Sequence, residues 1–298
     1  GYFTKWNDGP GRRNLLPHEF THSWNGKFRR GADSWTPDFR MPTRNSLLWV
    51  YEGQTQFWGY VLQARSGLVS KQDTLDQLAA IAALYDSQPA RQWRPLIDTT
   101  NDPVISARRP KGWSSWQRSE DYYNEGLLVW LEVDSMLRQL SGGKKSIDDF
   151  AKAFFGVRDG DWGVLTYTFD DVVATLDKIQ PHDWRGLLTQ RLTENATGAP
   201  LSGFERNGYR LVYAAEPTAS FRASEKTRKH TDLTYSGGFV VGQGGDVGQV
   251  LEAHHFTFTG RPQTARMTSS ATCATCWFSR PAASRKVRAI RFSGTIPA

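Results

Sequence analysis

Between residues 45 and 195, apolar positions recur mostly at intervals of three and four, the spacing of helices that bury one face. An earlier helix is expected over about 15–27, where Pro17 suits a first turn and Asn14 is placed to cap it. Residues 28–44 mix Arg, Pro and Asp without a period and read as a loop. A helix over about 45–66 follows, closing at Gly67. Ser70-Lys71-Gln72-Asp73 resembles a capping box for a helix through Leu84, with Leu75, Leu78, Ala79 and Ala82 on its core face. Prolines and tryptophans interrupt residues 88–117, which read as a long structured loop; Trp93, Trp113 and Trp116 there are candidates either for a substrate cleft or for packing. Ser119 is expected to cap a helix to Leu140, stopped by Gly142-Gly143, and Ser146, Thr168 and Asp183 each to open another.

Beyond Asn195 the pattern changes. Residues 209–213 alternate as a strand does, and 214–232 are polar and charged like a linker. Residues 233–241 and 247–251 then read as a hairpin around a Gly-rich turn. After Glu252 there is no acidic residue at all, and the tail is expected to be disordered or foreign to the rest of the protein.

Composition narrows the function. The chain has 298 residues, 39% of them hydrophobic and 13% aromatic, enough for a substantial core. No run of eighteen apolar residues occurs, so no membrane span is expected, and the first residues show no leader peptide. The net charge of +7 comes from the tail: 26 basic residues face 26 acidic ones up to residue 220, and 11 face 4 beyond it. A balanced body argues against a nucleic-acid partner. Cys273 and Cys276 lack the second pair or strand-to-helix setting that zinc or redox chemistry requires and read as incidental thiols, fitting cytoplasm or periplasm alike.

The chemistry concentrates in Pro17-His18-Glu19-Phe20-Thr21-His22. His-Glu-x-x-His on a helix turns two imidazoles to one side, one turn apart, with a carboxylate beside them: two zinc ligands and a general base. A catalytic zinc takes a third protein ligand, and Glu52 is the candidate, a carboxylate set among apolar residues where an unpaired charge is costly. The other histidines, His182, His230, His254 and His255, read as surface residues.

The runs PHEFTHSWNGKFRR, LLWVYEGQTQFWG and SEDYYNEGLLVWLEVD are similar to the glycyl aminopeptidase family of PDZ-containing zinc peptidases. The likeness runs through about the first 215 residues and weakens toward 250. It implies a mainly α fold: a thermolysin-like, gluzincin-type helical catalytic domain over 1–195, without the family's upstream β-rich part. A β-rich segment with a partial PDZ-like hairpin over 196–251 and a basic tail over 252–298 would follow. It also implies one catalytic Zn2+ held by His18, His22 and Glu52, Glu19 as general base, and a tyrosine donor to the oxyanion. Tyr123 matches that tyrosine, with Tyr122 as the alternative. The family's relatives often place a Glu one turn after the third ligand, where this chain has Gln56, and Asp121 has no assigned role.

The function expected on these grounds is zinc-dependent aminopeptidase action on peptides with small N-terminal residues, Gly or Ala. The chain begins seventeen residues before His18, so the strands that in the family hold the substrate are not in it, and zinc binding with weak or absent turnover is the expectation. The alternative is a non-catalytic, PDZ-like peptide-binding protein that keeps a zinc site.

Overall fold

The computed structural model describes residues 4, 6, 13–106, 114–236, 239–242, 249–253 and 289–293. Cys273, Cys276, Trp113, His254, His255 and the Gly-rich turn at 243–248 lie outside them. The helices are α1 (Leu15–Thr21), α2 (Leu48–Tyr51), α3 (Gly53–Arg65), α4 (Lys71–Asp86), α5 (Asp102–Ile105) and α6 (Ser114–Gln117). They continue with α7 (Asn124–Leu140), α8 (Ile147–Phe155), α9 (Phe169–Ile179), α10 (Trp184–Thr193), α11 (Ser202–Arg206) and α12 (Ala219–Arg228).

Helix α7 is the centre of the molecule. Leu127, Leu128, Val129, Trp130, Val133 and Leu137 are buried along it, and α3 crosses it closely. A Cβ added to Gly53 would lie 2.6 Å from the Tyr122 carbonyl oxygen, and one on Gly126 would lie 2.9 Å from the Gly53 Cα. Only hydrogen at both positions lets the two backbones touch. Trp130 stacks on Trp49 with ring centroids 5.5 Å apart and donates its indole N–H to the Trp49 carbonyl at 2.9 Å, locking α2 to α7.

Several element boundaries follow local chemistry. Ser70 caps α4, Ser146 and Thr168 form full capping boxes on α8 and α9, and Asp183 caps α10. Others differ from expectation. Helix α1 ends at Thr21 because the chain turns away: Gly26 has φ 112°, and the Asn25 side chain is drawn across to α2. Asn14 makes no side-chain cap. Helix α7 begins at Asn124 rather than after Ser119, since residues 118–121 are taken up by a buried ion cluster. Among its described residues, the expected loop at 88–117 holds two 3-10 turns and two short helices.

The described strands form three small sheets. β1 (Arg29–Gly31) pairs in parallel with β2 (Leu165–Tyr167), Arg29 opposite Leu165. β3 (Arg210–Ala214) lies where alternation placed it and pairs antiparallel with β7 (Ala289–Ser293), so part of the basic tail is built into a sheet. The expected linker contains α12 and β4 (His230–Asp232), which joins β5 (Phe239–Gly242) and β6 (Gln249–Ala253) in an antiparallel sheet. β5 and β6 supply the expected hairpin, but three strands do not by themselves identify a PDZ domain. His230, expected at the surface, is buried in β4, while His182 is half-buried edge-on to Trp184.

Candidate metal centre

His18 on helix α1 and His22, the residue that caps its C-terminus, lie one turn apart, both buried. Their Nε2 atoms lie 3.1 Å from each other, and Glu52 Oε2 lies 3.4 Å from that of His18 and 3.2 Å from that of His22. A tetrahedral ion with bonds of about 2.0–2.1 Å separates its donors by about 3.3–3.4 Å. The three distances therefore match the edges of such a site, and the residue set fits zinc chemistry. Among the described residues this is the group of His, Cys, Asp and Glu side chains able to share an ion.

Glu52 occupies the single-residue break between α2 and α3. Burial alone would raise its pKa, yet the two imidazoles facing it bring the carboxyl down to about 2, so it is an anion at neutral pH. Burial works against a charged His22, but Glu52, the Asn25 carbonyl and Glu19 outweigh it and raise its pKa.

Sequence reasoning missed Asn25. Its carbonyl oxygen lies 2.9 Å from His22 Nδ1, so that nitrogen donates and Nε2 is left to face the other donors. Its side-chain Nδ2 donates to the Val50 carbonyl at 2.9 Å and lies 3.0 Å from Thr55 Oγ1. One residue thus ties the exit of α1 to the turn that presents Glu52. A polar residue three positions after a motif histidine was the available signal.

Glu19 is exposed on α1, with its charge felt at His22 and Tyr51. The Tyr123 ring is half-buried and lies parallel to His18, centroids 6.1 Å apart at 27°. Tyr122 is fully buried. Tyr51, also unforeseen, neighbours the other imidazole: its ring is 5.0 Å from that of His22 and rests on Gly26, where a Cβ would come within 2.4 Å of it. Gln56 Nε2 donates to Asn124 Oδ1 at 2.8 Å, and Asp121 is buried against Arg118. His18 Nδ1 is buried without a hydrogen-bond partner among the described residues. Trp93 and Trp116 are exposed and joined through the Trp93 indole N–H and the Trp116 carbonyl at 3.0 Å.

The sequence of this region matches a family model, that of the M61 glycyl aminopeptidase, over residues 12–129. The matched segment contains α1, the α2–α3 break and the start of α7, and hence every residue around the cluster. The curated proteins give no match. In fold the chain is similar to the crystal structure of an aminopeptidase N family protein from Idiomarina loihiensis, with a TM-score of 0.66 and 17% sequence identity. The similarity covers 83% of this chain and 41% of that one, so this chain spans less than half the length of that protein. At that identity the likeness is one of fold. Among the described residues no helix is long and apolar enough to cross a membrane.

Proposed function

We propose that this chain carries the catalytic centre of a zinc-dependent aminopeptidase acting on peptides with a small N-terminal residue, Gly or Ala. The observation that carries the reading is the convergence of His18, His22 and Glu52 at tetrahedral spacing inside a segment of a peptidase family. His18 and His22 through Nε2, and Glu52 through Oε2, would hold the zinc. When bound, that ion supplies Lewis acidity, lowering the pKa of a water and polarising the scissile carbonyl.

The chain's own residues do the remaining work. Glu19, next to His18 and open to solvent, takes the proton of the attacking water and delivers it to the departing amine. Tyr123, beside His18 and only half-buried, donates a hydrogen bond from its phenol to the oxygen that gains negative charge. Its placement favours it over Tyr122, which is fully buried. The name of the family supports a small N-terminal residue on the substrate.

The test is zinc stoichiometry together with hydrolysis of Gly- and Ala-anilides. Against the rate that the wild-type chain itself reaches, however slow, Glu19→Gln is expected to keep one zinc per chain while losing about 10²–10⁴-fold. Tyr123→Phe is expected to keep zinc and lose about 10²-fold in kcat. Full hydrolysis by Glu19→Gln, or a wild-type chain that takes up no zinc, would sink the proposal.

A further inference from the structure

Arg118 is a buried arginine in an uncommon backbone state. Its φ is 55°, in the left-handed region that a residue with a Cβ rarely enters, and its side chain is 1% exposed. Each of its three guanidinium nitrogens donates a hydrogen bond. Nε donates to Asp121 Oδ2 at 2.7 Å, Nη1 to the Arg94 carbonyl at 2.8 Å, and Nη2 to Glu125 Oε2. Arg91, also buried, donates to the other Glu125 oxygen from Nη2 at 2.8 Å and from Nε at 3.1 Å.

These contacts bracket one short stretch. Asp121 and Glu125 are the two ends of the turn that opens α7, joined by the Glu125 N–H to the Asp121 carbonyl at 2.8 Å. Tyr122, Tyr123 and Asn124 lie between them. Tyr123 faces His18, and Asn124 accepts from Gln56, one turn beyond Glu52. A cluster of buried charges is a poor stabiliser, because desolvating each ion offsets most of the attraction. A planar guanidinium holding two carboxylates does, however, fix angles and distances.

We propose that Arg118 is a positioning residue: by clamping Asp121 and Glu125 it holds the Tyr123 phenol against the His18 side of the metal centre, with Arg91 as its second anchor. The proposal deepens the reading of Tyr123 given above and rests on it. Arg118 touches neither substrate nor ion and acts through the turn.

The experiment uses zinc-loaded chain labelled with 3-fluorotyrosine, in which Tyr123→Phe and Tyr51→Phe identify their own 19F resonances by loss. Arg118→Lys is expected to shift or split the Tyr123 resonance and leave that of Tyr51, beside His22, in place. With Gly-anilide, Arg118→Lys is expected to lower kcat by about 10²-fold while KM and zinc content stay unchanged. In a Tyr123→Phe background the same change should alter kcat by less than about twofold, because the two residues act as one unit. An unmoved Tyr123 resonance, lost zinc, or an equal kcat loss in both backgrounds would overturn the proposal. If Tyr123→Phe alone leaves kcat intact, the catalytic reading of Tyr123 fails instead, and the resonance alone decides the positioning. Asp121→Asn, which keeps the side-chain shape and weakens one arm of the clamp, is read the same way should Arg118→Lys fail to fold.

Discussion

Asn25 lies outside the His-Glu-x-x-His motif, yet its main chain fixes His22 and its side chain fixes the turn before Glu52. Truncating it leaves the carbonyl in place and cuts the link between α1 and α2. Asn25→Ala is therefore expected to weaken zinc binding by about 10–100-fold, measured by competition with a chelator; unchanged affinity would mean that the two ligand-bearing turns do not depend on it. Gly53 constrains the site differently. An added Cβ meets the Tyr122 carbonyl and the Gly126 backbone, neither of which can swing aside. Gly53→Ala should cost about 1–3 kcal/mol in denaturant unfolding. His18, His22, Glu19 and Glu52 were legible as residues, because a motif with i,i+4 spacing and a carboxylate among apolar neighbours each have a physical meaning in one dimension. Asn25, Tyr51 and Arg118 were not, since their meaning lies in partners up to 30 positions away.

Among the elements, α8, α9 and α10 were readable from their opening residues, because a cap is satisfied within one turn. Thr168→Ala, which removes the hydroxyl that accepts from the Asp171 N–H and leaves the backbone arm of the box, should cost about 1 kcal/mol of stability, read from the denaturant midpoint. The start of α7 was misplaced because its first turn is held by Arg118 rather than by a cap. Helix α12 was hidden because it buries no residue and so shows no apolar stripe. Further along α7, Glu132 is buried against Arg191, Arg206 and Ser202. Burial raises its pKa, but these partners prevail and hold it below the ordinary 4.5. A carboxyl with a depressed folded pKa stabilises the fold above its unfolded value, and the gain is lost as pH falls through the folded one. The Tm of the wild type should therefore drop more than that of Glu132→Gln as pH is lowered from 6 toward 3; parallel curves would count against the pair.

For the molecule as a whole, the candidate metal centre joins two segments that are otherwise separate in the chain, α1 and the α2–α3 break. An ion bound only by the folded form raises stability by RT ln(1 + [L]/Kd), about 2.7 kcal/mol at a hundredfold excess over Kd. Zinc should raise the Tm of the chain, a chelator should reverse the rise, and Glu52→Gln should abolish most of it. Equal Tm values with zinc and with chelator would remove the metal centre from the account of this fold.

The amino-acid order alone determined what can be set within one or two helical turns: which helices open at Ser146, Thr168 and Asp183, which pair of imidazoles shares a face, and which carboxylates are available. Tertiary structure decided which of those groups meet. It put Glu52 within 3.4 Å of both histidines, set Tyr123 rather than Tyr122 beside His18, and drew residues 118–125 into a buried clamp. Periodicity records which way a side chain faces on its own element, whereas the distance between elements depends on packing, here on two glycines that let α3 and α7 come into contact.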